Sequence, residues 1–145
     1  MGSRRKAREL ALQMLYQVDM TGIEPDEVFP HFDDLKKVPA ETRDYACSLV
    51  KGTVFQRDEI DKMIVRQAEN WRLERMPIVD RNILRLAVYE LLNCPETPAA
   101  VVIDEALEIA KRFSTPKSSQ FVNGILDGIR KRVLSEAAVV NGSAS

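Results

Sequence analysis

The chain has one histidine, two cysteines, six glycines and only 6% aromatic residues, and each shortage removes a class of protein. His31 follows Pro30, and no cysteine or serine lies at a spacing that would make it half of a nucleophile pair; it reads as a surface residue. Cys47 and Cys94 show no CxxC spacing and fall within apolar helical patterns, which argues against a disulfide scaffold or a metal site. The glycines form no phosphate loop. The acidic pairs Asp33-Asp34, Asp58-Glu59 and Asp104-Glu105 are neighbours in sequence, so they do not face one another on a helix. Glu108 and Arg112, four apart, predict an ordinary exposed ion pair. No apolar run approaches the roughly 18 residues that span a bilayer. The basic N-terminus leads into an alternating pattern, unlike the continuous apolar stretch of a secretory signal. A cytoplasmic protein without catalytic centre, cofactor or metal is expected.

What is present is helical periodicity, nearly throughout. At 145 residues, 45% hydrophobic and 30% charged, the chain is long enough for one domain with a real core. Ser3 is a candidate N-cap for a first helix running to about Met20 and closed by Gly22. Its core stripe is Ala7, Leu10, Ala11, Met14, Leu15 and Val18. Glu24-Pro25 starts a short helix, and Asp33–Pro39 reads as a polar connector. Further helices are predicted at about Glu41–Gln56, burying Ala46, Leu49, Val50 and Thr53, and at Asp58–Glu69, through Ile60, Met63, Ile64 and Ala68. Trp71 and Met76-Pro77 mark a break. The segment Ile78–Asn93 is apolar over more than half its circumference, as a central helix is. The prolines of Cys94–Pro98 end it. A sixth helix takes Ala99–Phe113, and a seventh takes about Ser118–Leu134. The β-branched run Ala100–Ile103 continues into helical spacing, and a lone strand would have nothing to pair with. Gly124 and Gly128 sit four apart on one helical face, where small residues admit a close neighbour. The expectation is an all-α bundle of about seven helices over residues 1–134, with a flexible tail at 135–145.

Charge is unevenly placed. Four of the 21 basic residues, Arg4, Arg5, Lys6 and Arg8, fall in the first eight positions with none of the 22 acids, so the rest of the chain carries a net −5. Cations at a helix N-terminus oppose the helix dipole, and four together point to an anionic partner. Arg5, Leu12 and Tyr16 share one stripe opposite the core stripe. They form either a contact surface or, if this helix is sandwiched, buried packing. At Lys117–Phe121, Ser118 and Ser119 offer hydroxyls beside free backbone N–H groups, and Phe121 offers a ring on which a base can stack. The competing reading makes one serine a plain N-cap and Phe121 plain core.

Three segments together carry a resemblance. RRKARELALQMLYQ at Arg4–Gln17, VDRNILRLAVYELL at Val79–Leu92 and STPKSSQFVNGILD at Ser114–Asp127 resemble the bacterial transcription antitermination factor family NusB, in its order and spacing, over about Arg4 to Val133. The resemblance implies an all-helical, non-enzymatic protein that binds single-stranded boxA leader RNA. It implies that binding occurs with the small-subunit ribosomal protein NusE, in an antitermination complex on RNA polymerase that supports ribosomal RNA transcription. It assigns RNA contacts to Arg4, Arg5, Lys6, Arg8, Lys117, Ser118, Ser119, Gln120 and Phe121. More loosely, it assigns Leu12, Tyr16 and Asp80 to the partner surface, with Asp80 an exposed carboxylate at the start of the central helix. Some members carry an acid where this chain has Lys117, which implies tighter RNA binding here without the partner. The family's aromatic residue before the central helix aligns with either Ala68 or Trp71.

Two other readings remain. One is the NusB-like RNA-binding module found at the front of some ribosomal RNA cytosine methyltransferases, although no methyltransferase domain follows in these residues. The other is a helical protein-interaction module that never touches RNA. The Leu12/Tyr16 stripe would serve a homodimer as well as NusE. With four to six phosphates met, log affinity is expected to fall with log salt at a slope of roughly −3 to −4.

Overall fold

The computed structural model describes residues 3–69 and 71–144, with side chains through Leu134. Seven α-helices and no strand occur among the described residues: α1 Ser3–Thr21, α2 Pro25–Val28, α3 Ala40–Phe55, α4 Arg57–Gln67, α5 Ile78–Asn93, α6 Ala99–Phe113 and α7 Pro116–Ala144. Short 3-10 turns at Phe29–His31, Asp33–Lys37 and Leu73–Arg75 complete the path. The expected connector at Asp33–Pro39 therefore carries a turn of its own, pinned by buried Leu35. Gly22, at φ 73°, closes α1 in the left-handed conformation that glycine adopts without steric cost. The last helix starts earlier than expected, at Pro116, and continues to Ala144, past the expected boundary at Leu134.

α5 is the axis. It packs against α1, α3, α4, α6 and α7, and Asn82 through Val88 are all buried. Two apolar clusters lie on either side of it. One joins α1, α2 and α3 through Ala7, Leu10, Met14, Leu49 and Val50, with Leu86 from α5. The other joins α4 through α7, with Ile64, Leu84, Val102, Leu126 and Ile129 at its centre. The core stripe expected for α1 is buried in full. Leu12 is buried as well, 3% exposed, and belongs to the second cluster. α1 is thus sandwiched, with α3 on one side and α5 on the other, and a helix packed on two sides buries residues opposite its main stripe. Of the two readings left open for the Leu12 stripe, the buried one therefore holds for Leu12, whereas Tyr16 stays 40% exposed.

Polar staples cross the same helices. Asp19 accepts from Nε and Nη2 of Arg81, at 2.7 and 2.8 Å, from the Asn82 amide at 2.9 Å and from Arg85 at 3.1 Å. Arg85 also holds Asp61 of α4 in a two-bond fork at 2.8 and 3.0 Å. Desolvation would raise the Asp19 pKa, but the hydrogen bonds from Arg81 and Asn82, with the charges of Arg85 and Arg81, outweigh it and hold the carboxyl below the ordinary aspartate range. A depressed carboxylate gives stability that is complete above its unfolded pKa of about 3.9 and is lost as pH falls through the folded value. Below about pH 4, then, wild type is expected to lose stability more steeply than Asp19→Asn. Urea midpoints taken through that range check it, and parallel acid profiles would remove Asp19 from the account.

The two glycines of the last helix differ. A methyl group at Gly128 would meet the Gln67 amide of α4 at 2.0 Å, whereas at Gly124 nothing lies within 4 Å. Close approach therefore holds for Gly128 alone. Gly52 shows the same logic on α3, where a Cβ would fall 2.2 Å from the Tyr89 ring.

Candidate nucleic-acid interface

The basic N-terminal turn is less free than its sequence implies. Arg8 is 5% exposed and forms a two-bond fork with the buried Glu90 of α5, at 2.8 and 2.9 Å. It is a staple between α1 and α5, which corrects its place in an exposed arm. Arg5 makes the same kind of fork with Glu105 of α6, at 2.7 and 2.9 Å, and remains half-exposed. That hydrogen bond and the Arg5 charge hold the Glu105 carboxyl below its usual range against desolvation. Arg4 lies over the Tyr45 ring, 3.7 Å from its centroid. Lys6 is exposed. Arg4, Arg5 and Lys6 thus reach solvent from one turn of α1.

The expected pair between Glu108 and Arg112 does not form. Arg112 instead pairs with Glu9, buried on α1, while Glu108 takes Lys111 at 3.4 Å. Together with Arg5–Glu105, this second cross-helix pair fixes α6 alongside α1.

A second surface lies at the opposite end of α5. Thr115 caps α7: its hydroxyl accepts from the Ser118 backbone N–H at 3.2 Å, with Pro116 in the first helical position. The cap is therefore Thr115, and neither Ser118 nor Ser119 serves. Both serines are buried, at 8% and 9% exposure. The Ser118 hydroxyl donates to Asp80 Oδ2 at 2.7 Å, and the Ser114 hydroxyl donates to Oδ1 at 2.7 Å. Asp80 is 2% exposed, so the expected exposed carboxylate at the start of α5 is an internal acceptor. Burial also corrects the picture of the two serines as open phosphate ligands. Lys117 and Gln120, by contrast, point outward from the same turn.

For Phe121 the core reading holds in part, and the residue also lines a groove. It packs half-buried against the core, and its ring meets Trp71 edge-on, with centroids 5.6 Å apart and planes at 63°. Trp71 is 53% exposed, whereas Ala68 is buried, so Trp71 is the aromatic residue that faces this site. Trp71, Pro77, Asp80, Lys117, Ser118, Gln120 and Phe121 line an open groove of about 630 Å³. Two aromatic faces beside an ammonium and an amide suit an unpaired base and its phosphate. Sequence reasoning left Trp71 unassigned; its ring lies against Phe121 at this groove.

A smaller groove of about 320 Å³ is lined by Leu12, Gln13, Tyr16, Gln17, Phe32, Val79 and Phe113. Tyr16 is 40% exposed on its rim, and Leu12 forms part of its floor. The large groove and the basic turn stand apart. Asp80 and Glu90 mark the two ends, about 15 Å apart at 1.5 Å per helical residue. Burial raises both cysteine thiols above their ordinary value, which leaves them poor nucleophiles. No helix among the described residues is long and apolar enough to cross a membrane.

These features define a class: an all-helical protein built around one central helix, with an aromatic and cationic groove where its fifth and seventh helices begin. The chain belongs to the NusB family, whose model matches residues 5–131. It is 49% identical to the transcription antitermination protein NusB of Koribacter versatilis over 136 residues, covering 93% of each chain. Among solved structures, NusB of T. maritima superposes with a TM-score of 0.80 at 38% identity, covering 88% of this chain and 90% of that one. A crystal structure of the antitermination factors NusB and NusE in complex with double-stranded RNA matches with a TM-score of 0.82 at 31% identity, covering 90% and 97%.

Proposed function

We propose that this chain is a transcription antitermination factor that binds boxA-type leader RNA together with NusE, within a cytoplasmic RNA polymerase complex that supports ribosomal RNA transcription. The observation that carries the reading is the Trp71–Phe121 groove with Lys117 on its rim, in a chain of this family. Aromatic faces of this kind stack on unpaired bases, so the single strand is favoured over a duplex. Lys117 and Gln120 supply a phosphate contact and a base-edge contact, and Phe121 supplies stacking. Arg4, Arg5 and Lys6 attract the strand further along. Tyr16 and the groove beneath it are assigned to NusE. A second copy of this chain is the competing occupant.

Fluorescence anisotropy with labelled boxA RNA, a scrambled strand and a duplex tests this, each with and without NusE. Selective binding of the single strand, tightened by NusE, is expected. Equal weak binding of all three, indifferent to NusE, would favour the helical protein-interaction module. Lys117 gives a sharper check. Lys117→Glu is expected to weaken RNA binding and to flatten the slope of log affinity against log salt by about 0.7, one phosphate on a single strand. An unchanged affinity and slope would remove Lys117 from the interface.

A further inference from the structure

Asp80 is a buried carboxylate that forms no ion pair among the described residues; its partners are hydroxyls. Ser114 and Ser118 each carry one proton, and the two oxygens of Asp80 take both. The Thr115 hydroxyl lies 3.1 Å from Ser118 Oγ and can donate to it, while accepting the Ser118 backbone N–H. Ser114 Oγ and Ser118 Oγ are 2.9 Å apart, which closes the cluster. Ser114 in the α6–α7 turn and Ser118 in the first turn of α7 are thereby tied to one carboxylate in the first turn of α5, where the helix dipole favours a negative charge, and Thr115 joins them through Ser118. Lys117 and Phe121, on the same turn of α7, face the groove that Asp80 and Ser118 floor.

We infer that Asp80, acting through Ser114 and Ser118, is a positioning residue: it sets the placement of the first turn of α7, and so the gap between Phe121 and Trp71, without touching RNA or a partner protein itself. A carboxylate with two oxygens can hold two hydroxyls at once and fix both the rotation and the height of the turn. A lone cap at Thr115 fixes only the backbone.

The functional readout rests on the RNA reading, so the test carries a second readout that needs no RNA. Trp71 is the sole tryptophan, and its fluorescence reports the groove directly. Asp80→Ala, Asp80→Asn, Ser118→Ala and the double alanine variant are compared at a temperature where each is folded. Acrylamide quenching of Trp71 is expected to rise in the alanine variants. RNA affinity is expected to fall about tenfold in each, the scale of one charge-assisted hydrogen bond. The double variant is expected to be no weaker than the worse single. Asp80→Asn keeps the shape and one acceptor, and a serine hydroxyl can rotate to accept from its amide, so it should restore most of both signals. Wild-type quenching and wild-type affinity in Ser118→Ala would overturn the inference. So would additive losses, which would mean that Asp80 and Ser118 act independently. If wild type binds no RNA while quenching follows the expected pattern, the RNA reading falls and the positioning role stands. Should Asp80→Ala fail to fold, Ser118→Ala and Asp80→Asn decide the matter.

Discussion

Arg8→Ala is expected to destabilise the protein by about 3–5 kcal/mol, because it strands Glu90 as an unpaired charge inside the bundle. The side chains of Arg8 and Glu90 are 6% and 1% exposed, and the fork between them is the most buried ion pair among the described residues. For a chain of this length, 1 kcal/mol moves Tm by roughly 2–4 °C, so a fall of about 10 °C is expected in a thermal melt. Removing both charges should be far milder. An Arg8→Met/Glu90→Leu variant is expected to regain most of the loss, since an apolar pair of similar volume avoids the desolvation that the ion pair must overcome. The rival account treats Arg8 as one more phosphate contact. It requires a nearly unchanged melt and weaker RNA binding for Arg8→Ala, and that pattern would overturn the assignment of Arg8 to the core. Arg4 and Lys6, which stay at the surface, offer the contrast: their substitution should move RNA affinity and leave Tm in place.

The contrast between Arg8 and Lys6 marks where sequence reasoning reached its limit. Periodicity alone located the helices and the inner stripe of α1, because burial of apolar side chains at i, i+3 and i+4 is a local signal. It also identified α5 as the axis from the width of its apolar face. The charge run that put Arg8 in an exposed arm and the resemblance that made Asp80 an exposed carboxylate failed for one shared reason, and for Leu12 the buried alternative holds. A helical projection assumes one buried face, whereas α1 and the start of α5 are covered on more than one side. Partners that neutralise a charge lie far along the chain: Glu90 for Arg8, Glu105 for Arg5, Glu9 for Arg112. Nothing in local spacing announces them, and the expected Glu108–Arg112 pair lost to such a distant partner. Local chemistry did single out the start of α7, where an open groove lies. Whether a hydroxyl there faces solvent or Asp80 depends on how α7 rests on α5, which only the packed structure settles.

Phe121→Ala is expected to weaken RNA binding by about 5- to 150-fold, the loss of one stacked base at roughly 1–3 kcal/mol. Because Phe121 is also half-buried against the core, the alanine variant confounds two effects, and Phe121→Leu separates them. Leucine keeps most of the apolar volume, so the melt should stay close to wild type. It lacks a ring face, so RNA binding should remain impaired nearly as much as with alanine. Trp71→Ala should weaken binding to a similar degree with little effect on stability, since Trp71 is half-exposed and meets Phe121 only edge-on. RNA added to wild type should quench the Trp71 emission, and the same addition to Phe121→Leu should quench it less. If Phe121→Leu binds RNA as wild type does, the ring is a packing element and the strand does not stack there. The groove would then owe its affinity to Lys117 and Gln120, and salt would weaken binding without any change in the fluorescence of Trp71 on saturation.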